Sequence, residues 1–69
     1  HAESALASSQ MAELLETLAE EQRQVLLMLY VQGHTHREIA ELLDLPIGTV
    51  KSRARLAFQR LRKMMEDDV

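Results

Sequence analysis

The 69-residue sequence has no cysteine, one proline, two glycines and only two aromatic residues, Tyr30 and Phe58. Without cysteine there are no disulfide staples and no thiolate metal sites, and an ordinary reducing cytoplasm is the expected compartment. Two aromatics are too few to build a stacking platform for single-stranded bases. The longest apolar run, Val25 to Val31, falls far short of the roughly 20 residues that a bilayer span needs. No basic stretch followed by an apolar one opens the chain, so neither a membrane span nor a signal peptide is expected. What remains is rich in Leu, Ala, Glu, Arg and Gln, whose side chains lose little rotamer freedom in a helix. The expected fold class is all-α, a small four-helix domain without winged elements. A chain this short buries only roughly 60% of its unfolded surface and holds one domain of marginal stability. It opens on His1 rather than Met, and the expectation is a piece of a longer protein.

The net charge of −3 argues, taken alone, against nucleic acid as a partner, because counterion release from phosphates rewards a basic surplus. The average hides an asymmetry. Residues 1–45 carry eight carboxylates against Arg23 and Arg37, whereas residues 46–65 carry Lys51, Arg53, Arg55, Arg60, Arg62 and Lys63 with no acid at all. One segment is polycationic and the rest repels DNA.

Periodicity and capping residues predict helices over about 4–16, 18–32, 36–43 and 47–65. Ala7, Met11, Leu14, Leu15 and Leu18 form the stripe of the first. Thr17 with Glu20, and Thr35 with Glu38, both have the spacing of a capping box, in which hydroxyl and carboxylate satisfy each other's orphan N–H groups. The run Val25 to Val31 is apolar on every face and is expected to be surrounded by neighbours, with Gly33 ending that helix in a left-handed turn. Asp44-Leu45-Pro46 stops the third helix, since proline disfavours helical geometry in the residue before it and suits the first turn of a new helix. In the fourth, Ile47, Val50, Ala54, Ala57, Leu61 and Met64 step by three and four toward the core, with Phe58 and Met65 on the flank. The opposite face carries Lys51, Ser52, Arg55, Gln59, Arg62 and Lys63.

Two helices joined by a short turn, the second basic from its start, form a helix-turn-helix, whose second helix enters the major groove and reads base edges with its N-terminal residues. Arg suits guanine bidentately, Lys does so more loosely, Gln suits adenine and Ser is permissive. Lys51, Ser52, Arg55 and Gln59 are therefore the base-contacting candidates. The start of the third helix, with unpaired N–H groups and Arg37, is expected on a phosphate, where it sets register without reading sequence.

Several stretches also resemble a known family. Glu21-Gln22-Arg23-Gln24-Val25-Leu26-Leu27, Gly33, Glu38-Ile39-Ala40-Glu41, Gly48-Thr49-Val50-Lys51-Ser52-Arg53 and Leu61-Arg62 are similar to region 4 of the extracytoplasmic-function (ECF) sigma factors of bacterial RNA polymerase. The resemblance runs from Leu14 onward, and its most diagnostic piece is Gly48 to Arg53. It implies binding to the minus-35 promoter element, contact with the flap of the polymerase β subunit and, often, capture by an anti-sigma factor. It implies Thr49 near a phosphate, as is His36 in this reading, and adds Arg53 to Lys51 and Ser52 at the start of the reading helix. Two positions depart from the common pattern. Ala19 stands where many relatives have proline, and Leu56 where many have arginine. Leu56 projects away from the core stripe, toward a thymine methyl or a protein partner. A domain that melts DNA and reads the minus-10 element is expected upstream. With few cations overall, promoter binding by the domain alone is expected to be weak and raised by tethering to polymerase.

Other readings stand beside this one. The output domains of quorum-sensing (LuxR-type) and response regulators share the Gly33, Glu-Ile-Ala and Thr-Val-Lys layout, but dimerise on palindromes. Ser52-Arg53 and Leu61-Arg62 favour the sigma layout. A third reading makes the domain mainly a protein-interaction module. His34 and His36 flank a helix cap with no third ligand nearby, so a surface role is expected, not a metal. Met64, Met65 and Phe58 are expected in the core. No nucleophile beside a base, phosphate loop or paired carboxylates appear, so no enzyme, cofactor or small-molecule substrate is expected.

Overall fold

The computed structural model describes residues 12–67. Residues 12–16 are helical, α1, and are followed by α2 (Glu20–Tyr30), α3 (His36–Leu43) and α4 (Ile47–Asp67). Among the described residues there is no strand, and the architecture is all-α. Ala7 and Met11, assigned above to the first helix, lie outside the described residues.

The two Thr-x-x-Glu motifs part company. At Thr35 the capping box forms: the Glu38 N–H donates to the Thr35 hydroxyl at 3.0 Å, and the Thr35 N–H donates to the Glu38 carboxylate at 3.0 Å. At Thr17 it does not. The cap of α2 is Ala19, which has no side-chain hydrogen bond. Thr17 instead finishes α1, its N–H and hydroxyl both donating to the Leu14 carbonyl at 3.1 and 2.6 Å. The physical reason is Leu18, which is buried and draws the chain inward between the two helices, so that α2 begins only at Glu20. Glu20 and Glu21 in its first turn favour the positive end of the helix dipole.

α2 ends where Gly33, at φ 76, turns the chain so that the His34 N–H returns to the Met28 carbonyl at 2.8 Å. A Cβ there would meet nothing within 4 Å, so the requirement for glycine is one of backbone conformation and not of space. α3 ends on Asp44, which adopts the left-handed region at φ 55 and donates its N–H to the Ala40 and Glu41 carbonyls. Leu45 N–H closes on Ala40 at 2.9 Å, and the Pro46 carbonyl accepts from Thr49 and Val50 to open α4. The turn between the two helices is therefore only Asp44, Leu45 and Pro46.

Two apolar clusters hold the helices together. The first joins Val25 and Met28 of α2, Ile39 of α3, and Val50 and Ala54 of α4, with Leu29, Leu43 and Leu45 packed against it. The second joins Leu18, Leu26 and Ala57, with Leu15, Leu61 and Met64 alongside. Val25, Ile39 and Val50 are fully buried. Small residues at 54 and 57 let α2 approach α4 closely.

Three apolar expectations are corrected. α2 is not surrounded: it buries Val25, Leu26 and Met28, while Tyr30 and Val31 are 67% and 75% exposed. A domain this small has too few neighbouring elements to enclose a helix on every side. Phe58 and Met65 are also exposed rather than core, and Ile47 lies at the edge of the stripe. Met64 alone of the pair packs inward, where its sulfur meets the Thr17 hydroxyl at 2.8 Å.

Candidate nucleic-acid interface

No polar or charged side chain is buried among the described residues, so all of their charges act at the surface. The three-residue turn brings α3 against the first half of α4, with Ile39 meeting Val50 and Ala54 in one cluster. Because those residues bury one face, the positions opposite are turned to solvent by the helical period of about 3.6 residues. Lys51, Ser52, Arg55, Gln59, Arg62 and Lys63 are all exposed. They form one face of α4.

Arg53 does not share it. It lies about 100° round the helix from Ser52 and is half-buried beside the core stripe. Thr49 is likewise half-buried at the helix start, and Arg37 is exposed in the first turn of α3.

His36, Lys51, Arg55 and Arg62 come together with Tyr30 and Phe58 around a shallow groove of about 480 Å³ between the end of α2, the start of α3 and the outer face of α4. The two aromatic rings meet edge to face, their centroids 5.3 Å apart and their planes at 81°. Tyr30 and Arg62 were not singled out as contacts from the sequence. Only tertiary structure brings them beside Lys51.

Leu56 borders a second groove, of about 460 Å³, with Thr17, Ala19, Gln22, Arg60 and Lys63. It is 45% exposed.

His34 and His36 point to different surroundings. His34 Nδ1 lies 3.8 Å from the Glu38 carboxylate, while His36 lines the basic groove. The Glu38 carboxyl is held below the usual carboxylate range, first by the Thr35 N–H and then by the Thr35 side chain, with desolvation opposing them and His34 adding a lesser pull in the same direction. Among the described residues no cluster of three or more His, Asp or Glu side chains could hold a metal ion. No described helix is long and apolar enough to cross a membrane.

A short-turned pair of helices with a cationic second helix is a geometry that many proteins share, and comparison with known proteins decides among them. Residues 8–61 match the family described as Sigma-70, region 4. The chain belongs to that family. As a region 4 chain it is also 48% identical, over 48 residues, to the ECF RNA polymerase sigma factor RpoE of Cereibacter sphaeroides. The matched stretch is 70% of this chain and 26% of that relative, so the chain spans about a quarter of the relative's length. The region 4 match takes in α2, the turn, and most of α4, and with them every residue of the two grooves except Arg62 and Lys63.

Proposed function

We propose that this chain binds the minus-35 element of promoter DNA as the C-terminal domain of an alternative, ECF-type sigma factor, and so directs RNA polymerase to initiate transcription in the cytoplasm. The observation that carries this reading is the exposed cationic face of α4, which begins directly after the three-residue turn from α3. In a helix-turn-helix the N-terminal part of the second helix reads base edges. Lys51, Ser52 and Arg55 take that role, with Gln59 one turn further on. Arg37 and His36 approach phosphate oxygens at the start of α3, and Thr49 does so at the start of α4. Arg53, set to one side of this face, reaches the backbone more readily than a base edge.

This assignment requires no chemistry on bonds, and the protein acts as a binding module rather than an enzyme. It works with the polymerase core, whose β flap is the proposed tether. The acid-rich remainder of the chain makes the isolated domain a weak DNA binder, and tethering compensates by raising effective concentration.

A second role, capture by an anti-sigma protein, is favoured by Leu56. A half-exposed leucine in a groove beside Arg60 and Lys63 suits a partner with an apolar anchor and acidic flanks. DNA binding and capture then alternate on one domain.

The deciding experiment is selection from a randomised duplex pool at low salt, with the domain free and fused to the polymerase flap. Enrichment of a single half-site supports the sigma reading. An enriched palindrome, or a stable homodimer in solution, replaces it with a dimeric LuxR-type regulator. No enrichment in either format leaves protein interaction as the main activity.

A further inference from the structure

The groove that holds His36, Lys51 and Arg55 also holds Tyr30 and Arg62, which the reading of base edges does not use. We propose that this groove is a track for the phosphate backbone of one DNA strand, with Tyr30 and Arg62 as contacts beyond the reading turn. The proposal rests on the DNA-binding reading above and extends it to residues outside the helix-turn-helix proper.

Charge is the first argument. Arg62 and His36 line the groove beside the reading residues Lys51 and Arg55, and among the described residues no carboxylate lines it. The acid nearest in sequence to Arg62 on its face of α4 is Glu66, whose carboxylate lies 3.6 Å away, with both side chains largely exposed. An exposed pair of that kind contributes little, so Arg62 can exchange Glu66 for a phosphate at small cost.

Length is the second. α4 has 21 residues and is about 31 Å long, whereas the major groove is about 12 Å wide. A helix of this length that enters at an angle to the groove with its N-terminal turns passes over a phosphate ridge before it ends. Arg62 follows Lys51 by eleven residues, about 16 Å along the axis, which is beyond the groove width.

The third argument is the floor. Tyr30 lies edge to face on Phe58, so its ring has a fixed support although it is 67% exposed. Tyrosine hydroxyls are common donors to phosphate oxygens. An aromatic floor under a cationic rim suits a sugar-phosphate strand, whose deoxyribose is apolar and whose phosphates are anionic.

The test is an anisotropy titration of the whole 69-residue chain against the selected duplex and a scrambled one, at several salt concentrations. Arg62→Gln is expected to weaken both duplexes several-fold by the same factor, and to lower the salt slope by about 0.9. Tyr30→Phe keeps the ring and its packing, and is expected to weaken both duplexes equally with the slope unchanged. Lys63→Gln removes the same charge from the neighbouring position, which lines the Leu56 groove and not this one, and is expected to leave affinity and slope much closer to the parent. The proposal is overturned if Arg62→Gln leaves affinity and slope intact, if its loss is confined to the selected duplex, or if Lys63→Gln matches it. Failure of the parent chain to bind either duplex at the lowest salt, both free and fused to the polymerase flap, removes the DNA reading itself, and is seen before any variant is made.

Discussion

Thr35 and Glu38 cap α3 reciprocally, each backbone N–H donating to the other's side chain at 3.0 Å. The pair stands at the residue from which the helix-turn-helix begins, between the glycine turn and the first turn that carries His36 and Arg37. Removing the hydroxyl leaves an orphan N–H at an exposed helix start. Thr35→Ala is expected to cost about 1 kcal/mol, measured by urea denaturation. Thr17→Ala, at the same sequence spacing from Glu20, has no N-cap of α2 to lose, only the hydroxyl's contacts with the Leu14 carbonyl and the Met64 sulfur.

The same pair sets an acid limit. The Thr35 hydrogen bonds favour the ionised Glu38 and hold its carboxyl below the ordinary range. A group whose folded value is depressed stabilises the fold fully above its unfolded value, and that contribution is lost as pH falls through the folded one. The melting temperature should therefore fall as pH is lowered through and below the usual carboxylate range. Glu38→Gln should show a shallower fall over that window. An equal acid-side fall in both proteins would mean that Glu38 is not the group responsible.

How far the sequence anticipates this structure depends on whether a feature is local. The Thr35 cap, the left-handed Gly33, the Pro46 turn and the stripe Val50, Ala54, Ala57 are each decided within a few residues, and each is legible. Thr17 and Glu20 carry the same local signal but lose to Leu18, whose burial is a tertiary matter. The apolar run at the end of α2 reads as core because hydrophobicity alone does not say how many neighbours exist. The α4 candidates Lys51, Ser52, Arg55 and Gln59 follow from helical period, and Arg53 is separated from them by the same period once the core face is known. Tyr30 and Arg62 could not be found in this way. They lie 32 positions apart and meet only because α2 ends against α4.

Asp44 occupies the left-handed region at φ 55, where a side chain is disfavoured and glycine is not. Aspartate tolerates the position better than most residues. Asp44→Gly is expected to raise stability by about 0.5 kcal/mol, the relief being partly offset by the larger entropy of the unfolded chain. Asp44→Val should lower it by at least about 1 kcal/mol, because a β-branched residue fits the region worst. The order Gly above Asp above Val in urea midpoints is the check.

Ile39 is the one fully buried residue of α3 and touches the cluster that α2 and α4 share. Ile39→Ala combines lost transfer energy with a cavity and should cost about 2–5 kcal/mol. A domain this small has little more than that to lose. The expected result is a largely unfolded chain at 37 °C by circular dichroism, with binding to every duplex abolished. A folded Ile39→Ala protein would show that the turn and α4 hold without their central contact.

The roles proposed for Arg55 and Arg37 separate specificity from affinity. Both residues are exposed, but Arg55 lies one turn into the outer face of α4 and Arg37 in the first turn of α3. A base contact is worth about 1–3 kcal/mol at the position it reads, because the guanidinium fork matches the edge of one base and not the others. A phosphate contact has no such preference and weakens all sequences alike, lowering the salt slope by about one. Arg55→Ala should therefore flatten one or two positions of the selected half-site and leave binding to scrambled DNA nearly unchanged. Arg37→Ala should do the reverse. Since the two substitutions remove the same charge, a general loss of positive potential cannot produce both patterns. If Arg55→Ala weakens all duplexes equally, α4 approaches DNA with another part of its surface, and the second groove, beside Leu56, becomes the place to look for base contacts.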